Sequence, residues 1–124
     1  MTEILVKELS FAIFGAAMEV FNTLGHGFLE AVYQKALAHK LKMRGIPFAD
    51  QVRLPVTYKD FLVGEYVTDF IVDGKIIVEI KSVSHFKNEH QAQAMHYLAA
   101  TGYQLAILLN FGRPGKVEQW RIVR

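Results

Sequence analysis

Apolar residues recur at helical spacing in the first third of the chain. They follow one another every three or four residues through residues 3–22, the period of one helix face, which predicts a first helix. The stretch LGHG, Leu24 to Gly27, interrupts this pattern, and a second helix is predicted from Gly27 to Arg44. Gly45 follows the basic residues Lys40, Lys42 and Arg44, and basic residues followed by glycine are typical of the C-terminal end of a helix. We therefore expect two consecutive helices.

The pattern then changes to a period of two residues, which is typical of half-buried strands. Val52 to Tyr58 alternate in this way, and Phe61 to Val72 is predicted as a second strand. Asp73–Gly74 is a strong hairpin signal, and Lys75 to Ser82 is predicted as the third strand after it. The middle of the chain is therefore expected to form three strands joined by tight turns.

The last third of the chain combines a helix with a strand that has no polar face. Residues 87–101 are predicted to be helical up to Gly102. Leu105 to Phe111 is a continuous apolar run, as in strands buried on both faces, and Val117 to Val123 alternates as a last strand. The predicted order is α-α-β-β-β-α-β-β, an α/β arrangement in one domain over residues 1–124.

Composition narrows the classes of protein. The chain has 124 residues, 52% of them hydrophobic and 21% charged, which suits one globular domain with a real core. It has no cysteine, which excludes disulfides, thiolate metal sites and cysteine nucleophiles. The net charge is only +2, so any nucleic-acid contact requires a local basic patch. The apolar stretch FAIFGAAM is too short for a membrane span, and we expect a cytoplasmic location.

Charged residues end the predicted third strand, KIIVEIKS. Glu79 and Lys81 are two residues apart and therefore share one face of a strand, while Ile80 points to the other face. Charges at the end of an apolar central strand are costly to bury without partners. Taken alone, this pair also fits a solvated strand end, and that alternative stays open.

The length of the hairpin loop decides whether the carboxylate of Asp69 lies next to Glu79. A loop of only Asp73–Gly74 would place Thr68 opposite Glu79, whereas a loop of residues 73–75 would place Asp69 there, about 5 Å away. Two carboxylates at that distance repel each other unless a cation lies between them, and such oxygen ligands suit Mg²⁺ or Mn²⁺. We therefore predict the longer loop, or a bulge with the same effect.

A cation at this position defines a chemistry for the lysine. It would polarise a phosphate and lower the pKa of a bound water. Lys81 would then orient that water or stabilise charge developing on phosphorus. This is metal-assisted phosphodiester hydrolysis, in which arginine is expected to replace the lysine poorly because its charge is not a compact point charge.

Two predicted helices carry polar side chains within apolar patterns. His90, Gln93 and Tyr97 form one stripe of the third helix, and Glu30 and Tyr33 form a similar pair on the second. Each group alone fits a solvated surface. Together with the strand residues they are polar exceptions in four elements, and such exceptions often mark function.

The other aromatic and histidine side chains fit packing or the surface. Four phenylalanines are expected in the core: Phe11, Phe14, Phe21 and Phe28. Trp120 is expected to pack against the sheet rather than to stack on a base. Four histidines have no metal-ligand spacing with one another and are expected to be structural or exposed: His26, His39, His85 and His96.

Four stretches together resemble a known family: GFLEAVY, TDFIVDGKIIVEIKS, HQAQAMHYL and LLNFG. The first fits a G-x-x-E-x-x-Y signature, and the chain from Phe21 to Arg124 resembles the GxxExxY proteins, which are placed near the RecB-like branch of the PD-(D/E)XK nuclease-like superfamily. The resemblance implies a restriction-endonuclease-like core, with a central mixed sheet flanked by helices.

The resemblance also implies an activity and a set of site residues. The implied protein is a metal-dependent nuclease that hydrolyses nucleic acid, with DNA as the expected substrate and Mg²⁺ or Mn²⁺ as the cofactor. The implied metal ligands are Asp69, Glu79, Ile80 and Glu30. The implied catalytic residues are Lys81, Glu79, Asp69 and Glu30. The residues implied to position the substrate are Gln93, Tyr97, His90 and Tyr33. The alternative is a non-catalytic nucleic-acid-binding or assembly module that retains the nuclease scaffold. A homodimer or larger complex would extend the grip on the substrate.

Overall fold

Two helices, a three-stranded segment, a third helix and two further strands follow one another along the chain. The computed structural model describes residues 2–124, with side chains from residue 6 onwards, and Met1 of the predicted domain lies outside the described residues. The elements are α1 (Thr2–Leu24), α2 (Glu30–Met43), β1 (Phe48–Tyr58), β2 (Phe61–Val72), β3 (Ile76–Lys81), α3 (Asn88–Thr101), β4 (Leu105–Asn110) and β5 (Glu118–Val123). The predicted order is confirmed.

The five strands form one mixed sheet. Their spatial order is β1-β2-β3-β4-β5, and every neighbouring pair is antiparallel except β3 and β4. Helix α3 connects this parallel pair, so the carboxyl ends of β3 and β4 lie at the same edge, where Lys81 pairs with Asn110. The predicted α/β class, with a central mixed sheet flanked by helices, is confirmed.

Helices cover both faces of the sheet. One buried cluster joins α1 and α2 to residues such as Val78 and Ile80, and a second cluster joins α3 to residues such as Ile77 and Leu108. Successive residues of a strand point to opposite faces. Glu79 and Lys81 are two and four residues from Ile77, so they lie on the same side of the sheet as Ile77, which is the α3 side.

The β1–β2 hairpin is longer than the rest of the sheet. Its outer part, residues 55–65, is exposed apart from half-buried Val56, and we call it the hairpin arm. Strand β2 pairs with β3 only through residues 70–72. Within residues 2–124, no third strand lies beside the arm.

The segment before α2 differs from its prediction. Helix α2 begins at Glu30 rather than Gly27. Gly25 and Gly27 have φ values of 75° and 95°, in the left-handed region that favours glycine, so the chain turns there before it becomes helical. Phe28 in this turn is 47% exposed, and Phe11 on α1 is 68% exposed. The prediction that both belong to the core is wrong.

The remaining aromatic predictions hold. Phe21 is buried, Phe14 packs against the first cluster, and Trp120 lies against Phe86 with ring centroids 4.5 Å apart. No helix within residues 2–124 combines the length and the apolar character needed to cross a membrane.

Candidate active site

Asp69 and Glu79 face each other across neighbouring strands. Val72 pairs with Ile76, so the hairpin loop has three residues, Asp73 to Lys75, as predicted. Continuing the same register places Asp69 opposite Glu79. The main-chain N–H of Asp69 donates to Glu79 Oε2 at 3.2 Å, and the side chain of Asp69 accepts from the N–H of Ile80 at 2.7 Å. The predicted three-residue loop, which aligns Asp69 with Glu79, is therefore confirmed.

An irregularity in the β1–β2 ladder leaves the Asp69 amide free for this contact. Paired residues pass from Asp50–Phe70 to Val52–Thr68, and Gln51 between them has a φ of 49°. Its amide nitrogen lies 3.5 Å from Asp69 Oδ1. Gln51 could not be predicted as a site residue, because a single glutamine before an alternating run carries no distinct signal.

Burial makes both carboxylates hard to ionise. It raises the pKa of Glu79 from 4.5 to about 7, although the Asp69 N–H and the Lys81 charge act in the opposite direction. It also raises the pKa of Asp69, against the N–H of Ile80, and the negative charge of Glu30 adds to the increase. A cation between the two side chains would remove this penalty, because it favours their charged forms.

Lys81 lines a small cavity on the α3 side of the sheet. The polar side chains that line this cavity come from three elements: Tyr66, Glu79, Lys81, His90, Gln93 and Tyr97. Its volume is about 10 Å³, the space of one water molecule. The structure thus brings the strand residues and the predicted stripe of α3 into one place.

Three residues of α3 have defined contacts at this cavity. The Gln93 amide donates to the Tyr97 hydroxyl at 2.8 Å, and burial raises the pKa of Tyr97. His90 Nδ1 accepts from the N–H of Lys87 at 3.0 Å at the start of the helix, so His90 both lines the cavity and fixes the helix end. Tyr66, which sequence analysis missed, stacks on Tyr97 with ring centroids 3.3 Å apart.

Glu30 lies at the carboxyl end of β3, next to the site rather than inside it. Its Oε2 accepts from the N–H of Ser82 at 3.3 Å, and the Ser82 hydroxyl donates to the carbonyl of Phe28 at 2.6 Å. The side chain is exposed. Glu30 is therefore an outer member of the group, and its negative charge reaches Asp69 and Glu79.

Tyr33 has no exposed surface, so the prediction that it positions the substrate directly is corrected. Its hydroxyl donates to the carbonyl of Gly25 at 2.6 Å and accepts from the N–H of Phe28 at 3.1 Å. Its ring stacks on Phe111 with centroids 4.4 Å apart. Tyr33 thus holds the turn that precedes Glu30.

Asn110 fixes the chain just beyond Lys81. This fully buried side chain accepts from the N–H groups of Val83 and Gly112 and donates to the carbonyl of Val83, each at 2.9 Å. A Cβ at Gly112 would lie 2.3 Å from the Val83 carbonyl oxygen, so only glycine fits. Asn110 was missed as a site residue; the available signal was a polar residue ending an otherwise apolar run.

The donor set fits a hard divalent cation. In the part of the chain that the structure describes, no three Asp, Glu or His side chains already form a metal cluster. Asp69 and Glu79 supply carboxylate oxygens, and the Ile80 carbonyl points to the same side of β3 as the N–H that donates to Asp69. Mg²⁺ and Mn²⁺ prefer such oxygens and keep several waters, so few protein ligands suffice.

Comparisons with known proteins confirm the predicted restriction-endonuclease-like core. No curated protein matches the chain. The chain is similar to the crystal structure of SSO0001, with a TM-score of 0.60 and 19% identity over 76% of this chain and 49% of that one. It thus spans about half the length of SSO0001, and a likeness at this identity concerns the fold alone. The family model of the PD-(D/E)XK nuclease superfamily matches residues 7–123, and the chain belongs to that superfamily.

Proposed function

We propose that the protein is a metal-dependent nuclease that hydrolyses phosphodiester bonds in nucleic acid, with DNA as the expected substrate. The observation that carries this proposal is the position of Asp69 opposite Glu79, with Lys81 on the same face of β3. Membership of a nuclease superfamily supports it. Burial raises the pKa of both carboxylates, which is typical of functional sites and does not fit a solvated strand end.

The strand residues divide the proposed reaction between them. Asp69, Glu79 and the Ile80 carbonyl would hold Mg²⁺ or Mn²⁺, and such an ion would polarise a phosphate and lower the pKa of a bound water. Lys81 lies two residues from Glu79 on the same face of β3, where its ammonium group would stabilise negative charge on the phosphate oxygens. Each carboxylate is fixed by a main-chain N–H, so little reorganisation is needed on binding.

The helix residues support and orient the strand residues. Glu30 is proposed to act on the metal from the outer side, through water, because its side chain is exposed at the end of β3. Gln93 and Tyr97 are joined by a hydrogen bond and are proposed to position the substrate, together with His90. Tyr33 takes part only through the turn that it holds.

A cleavage assay tests this proposal. Purified protein is incubated with single- and double-stranded DNA and RNA, with Mg²⁺ or Mn²⁺ and with EDTA. Metal-dependent cleavage is expected, and it should disappear in Glu79→Ala and in Lys81→Ala. Lys87→Ala is the matched control, because its side chain is 70% exposed and lies outside the cavity. Equal cleavage by the wild type and Glu79→Ala would refute the assignment.

A second candidate is a non-catalytic nucleic-acid-binding or assembly module. The reciprocal contacts of Asp69 and Glu79 favour it, because each carboxylate also ties one strand to the other. Calorimetric titration with Mn²⁺ separates the two functions. A module of this kind would bind nucleic acid without binding the cation, whereas the nuclease binds both.

The proposal also includes a finer placement. We assign the chain, as one domain, to the GxxExxY proteins near the RecB-like branch, on the G-x-x-E-x-x-Y stretch that contains Gly27, Glu30 and Tyr33. A cytoplasmic location fits a chain without cysteine. Assembly as a homodimer or larger complex would enlarge the surface for the substrate, and light scattering on purified protein tests it.

A further inference from the structure

The tip of the hairpin arm carries two exposed aromatic side chains. Tyr58 is 63% exposed and Phe61 is 71% exposed, and the two residues are direct partners across the hairpin. Side chains alternate between the faces of a strand, so Tyr58 lies on the same face as Leu54, which belongs to the buried cluster under α3. The aromatic tip therefore faces the side of the sheet that holds the candidate active site.

A second pair of aromatic rings lies where this face meets the site. Tyr66, the cross-strand partner of Leu54, stacks on Tyr97 with an angle of 12° between the rings. Its buried hydroxyl has no hydrogen-bond partner among the described residues. Tyr58 is four residues from Leu54, so the two aromatic pairs are about 13 Å apart along the strand.

The surface between the two aromatic pairs is open. Gly64 pairs with Val56 on this face, and no heavy atom lies within 4 Å of the position that a Cβ at Gly64 would occupy. Glycine inside a strand often marks a place where a ligand approaches the main chain closely. A flat group can therefore lie on the arm between the tip and the cavity.

We propose that this face of the arm binds unpaired bases of a nucleic-acid strand that continues from the active site. The inference rests on the proposed function and narrows the substrate to nucleic acid with a single-stranded segment. Aromatic faces stack on any base, which makes them suited to unpaired strands. The distance from Tyr66 to the tip is one that a few unpaired nucleotides span.

The chemistry of the two faces of the arm favours bases over a protein partner. The site-side face has Tyr58, Phe61 and Tyr66. The register of the hairpin shifts by one residue between Val56 and Thr57, so Leu62 pairs with Thr57 and lies on the opposite face. Lys59 and Asp60 at the turn balance each other in charge. Stacking rather than phosphate attraction is therefore expected to provide the affinity of the arm, and its contribution should depend little on salt.

Fluorescence anisotropy in EDTA tests the proposal without cleavage. The probes are a labelled oligothymidylate and a labelled blunt duplex. Tyr58→Ala and Phe61→Ala are each expected to weaken the oligothymidylate Kd by about tenfold or more, with the duplex Kd unchanged. Leu62→Ala is the matched control, because this side chain is 58% exposed at the same tip but on the other face. Tyr58→Trp should bind like the wild type.

Three outcomes would overturn the inference. The first is an unchanged oligothymidylate Kd in both aromatic variants, and the second is an equal loss in Leu62→Ala. The third is a dimer in light scattering that becomes a monomer in Tyr58→Ala, which would make the face a contact between two copies of the chain. Failure of the nuclease proposal is a separate result, because it is measured as absent cleavage and leaves the anisotropy values interpretable.

Discussion

Asp69 and Glu79 are joined through the main chain rather than carboxylate to carboxylate. The N–H of Asp69 donates to Glu79 Oε2 at 3.2 Å, while Asp69 Oδ2 accepts from the N–H of Ile80 at 2.7 Å. Both side chains are thus held in place before a cation binds. Because burial raises both pKa values, the ionised pair is unfavourable in the metal-free protein.

The metal-free protein is expected to lose stability as the pH rises towards neutral. The pKa of Glu79 is raised from 4.5 to about 7, so in this range the native state binds more protons than the unfolded state. The free energy of unfolding then decreases with pH, and the contribution, about 3 kcal/mol, is lost once the pH passes the native pKa. Urea unfolding in EDTA between about pH 5 and pH 8 measures the slope.

Glu79→Gln tests whether Glu79 is the group that causes this dependence on pH. Glutamine keeps an oxygen that accepts from the Asp69 N–H but has no proton to lose, so the slope should flatten. Glu65→Gln is the control, since Glu65 pairs with Arg53 on the surface and should leave the slope unchanged. A slope in Glu79→Gln equal to that of the wild type would show that Glu79 is not the titrating group.

Divalent cations are expected to reverse this loss. Mg²⁺ or Mn²⁺ binds the ionised carboxylates, so the increase in Tm on adding metal should be larger at about pH 8 than at about pH 5.5. At a concentration of a hundred times Kd the stabilisation would be about 2.7 kcal/mol. Asp69→Asn removes one charge and should abolish the increase, which differential scanning calorimetry measures. The same increase in Asp69→Asn would exclude Asp69 as a ligand.

Lys81→Arg is expected to impair cleavage rather than binding. The guanidinium is larger and planar and cannot present the compact point charge of the ammonium beside Glu79. We expect kcat to fall by about a hundredfold or more, with KM for an oligonucleotide nearly unchanged. Steady-state kinetics measures both quantities, and Lys87→Arg, outside the cavity, should behave as the wild type. A rise in KM alone would assign Lys81 to substrate binding.

The strand part of the site followed from sequence because strand geometry has a fixed period. Whether Asp69 lies opposite Glu79 depends only on the length of the hairpin loop. The pairing of Val72 with Ile76 fixes that length at three residues. The stripe of α3 was predicted for a similar reason, since helical spacing decides which side chains share a face. Local periodicity thus predicts both the order of elements and the residues that converge.

Contacts between distant segments could not be predicted in this way. Tyr33 is buried because Phe111, far away in the sequence, stacks on its ring, and Gln51 reaches Asp69 through an unusual φ at an irregular point of the ladder. Phe28 is exposed because the glycine turn moves the helix start to Glu30. None of these relations leaves a periodic signal in the sequence.

Asn110→Ala is expected to destabilise the protein by about 2–3 kcal/mol, because it leaves the N–H and the carbonyl of Val83 without their partners. Chemical unfolding measures this loss. Asn22→Ala, at an exposed position of α1, should change stability by less than about 0.5 kcal/mol. If Asn110→Ala is as stable as the wild type, water replaces the amide and the segment after Lys81 does not depend on it.

Tyr33→Phe tests the corrected role of this residue. The variant keeps the ring that stacks on Phe111 but removes the hydroxyl that joins Gly25 to Phe28, so we expect a loss of about 1–2 kcal/mol in the free energy of unfolding. Tyr58→Phe, at an exposed position, should leave stability unchanged. Because Tyr33 does not reach the cavity, KM for an oligonucleotide should stay the same in Tyr33→Phe. A large increase in KM without a change in stability would instead show that Tyr33 positions the substrate directly.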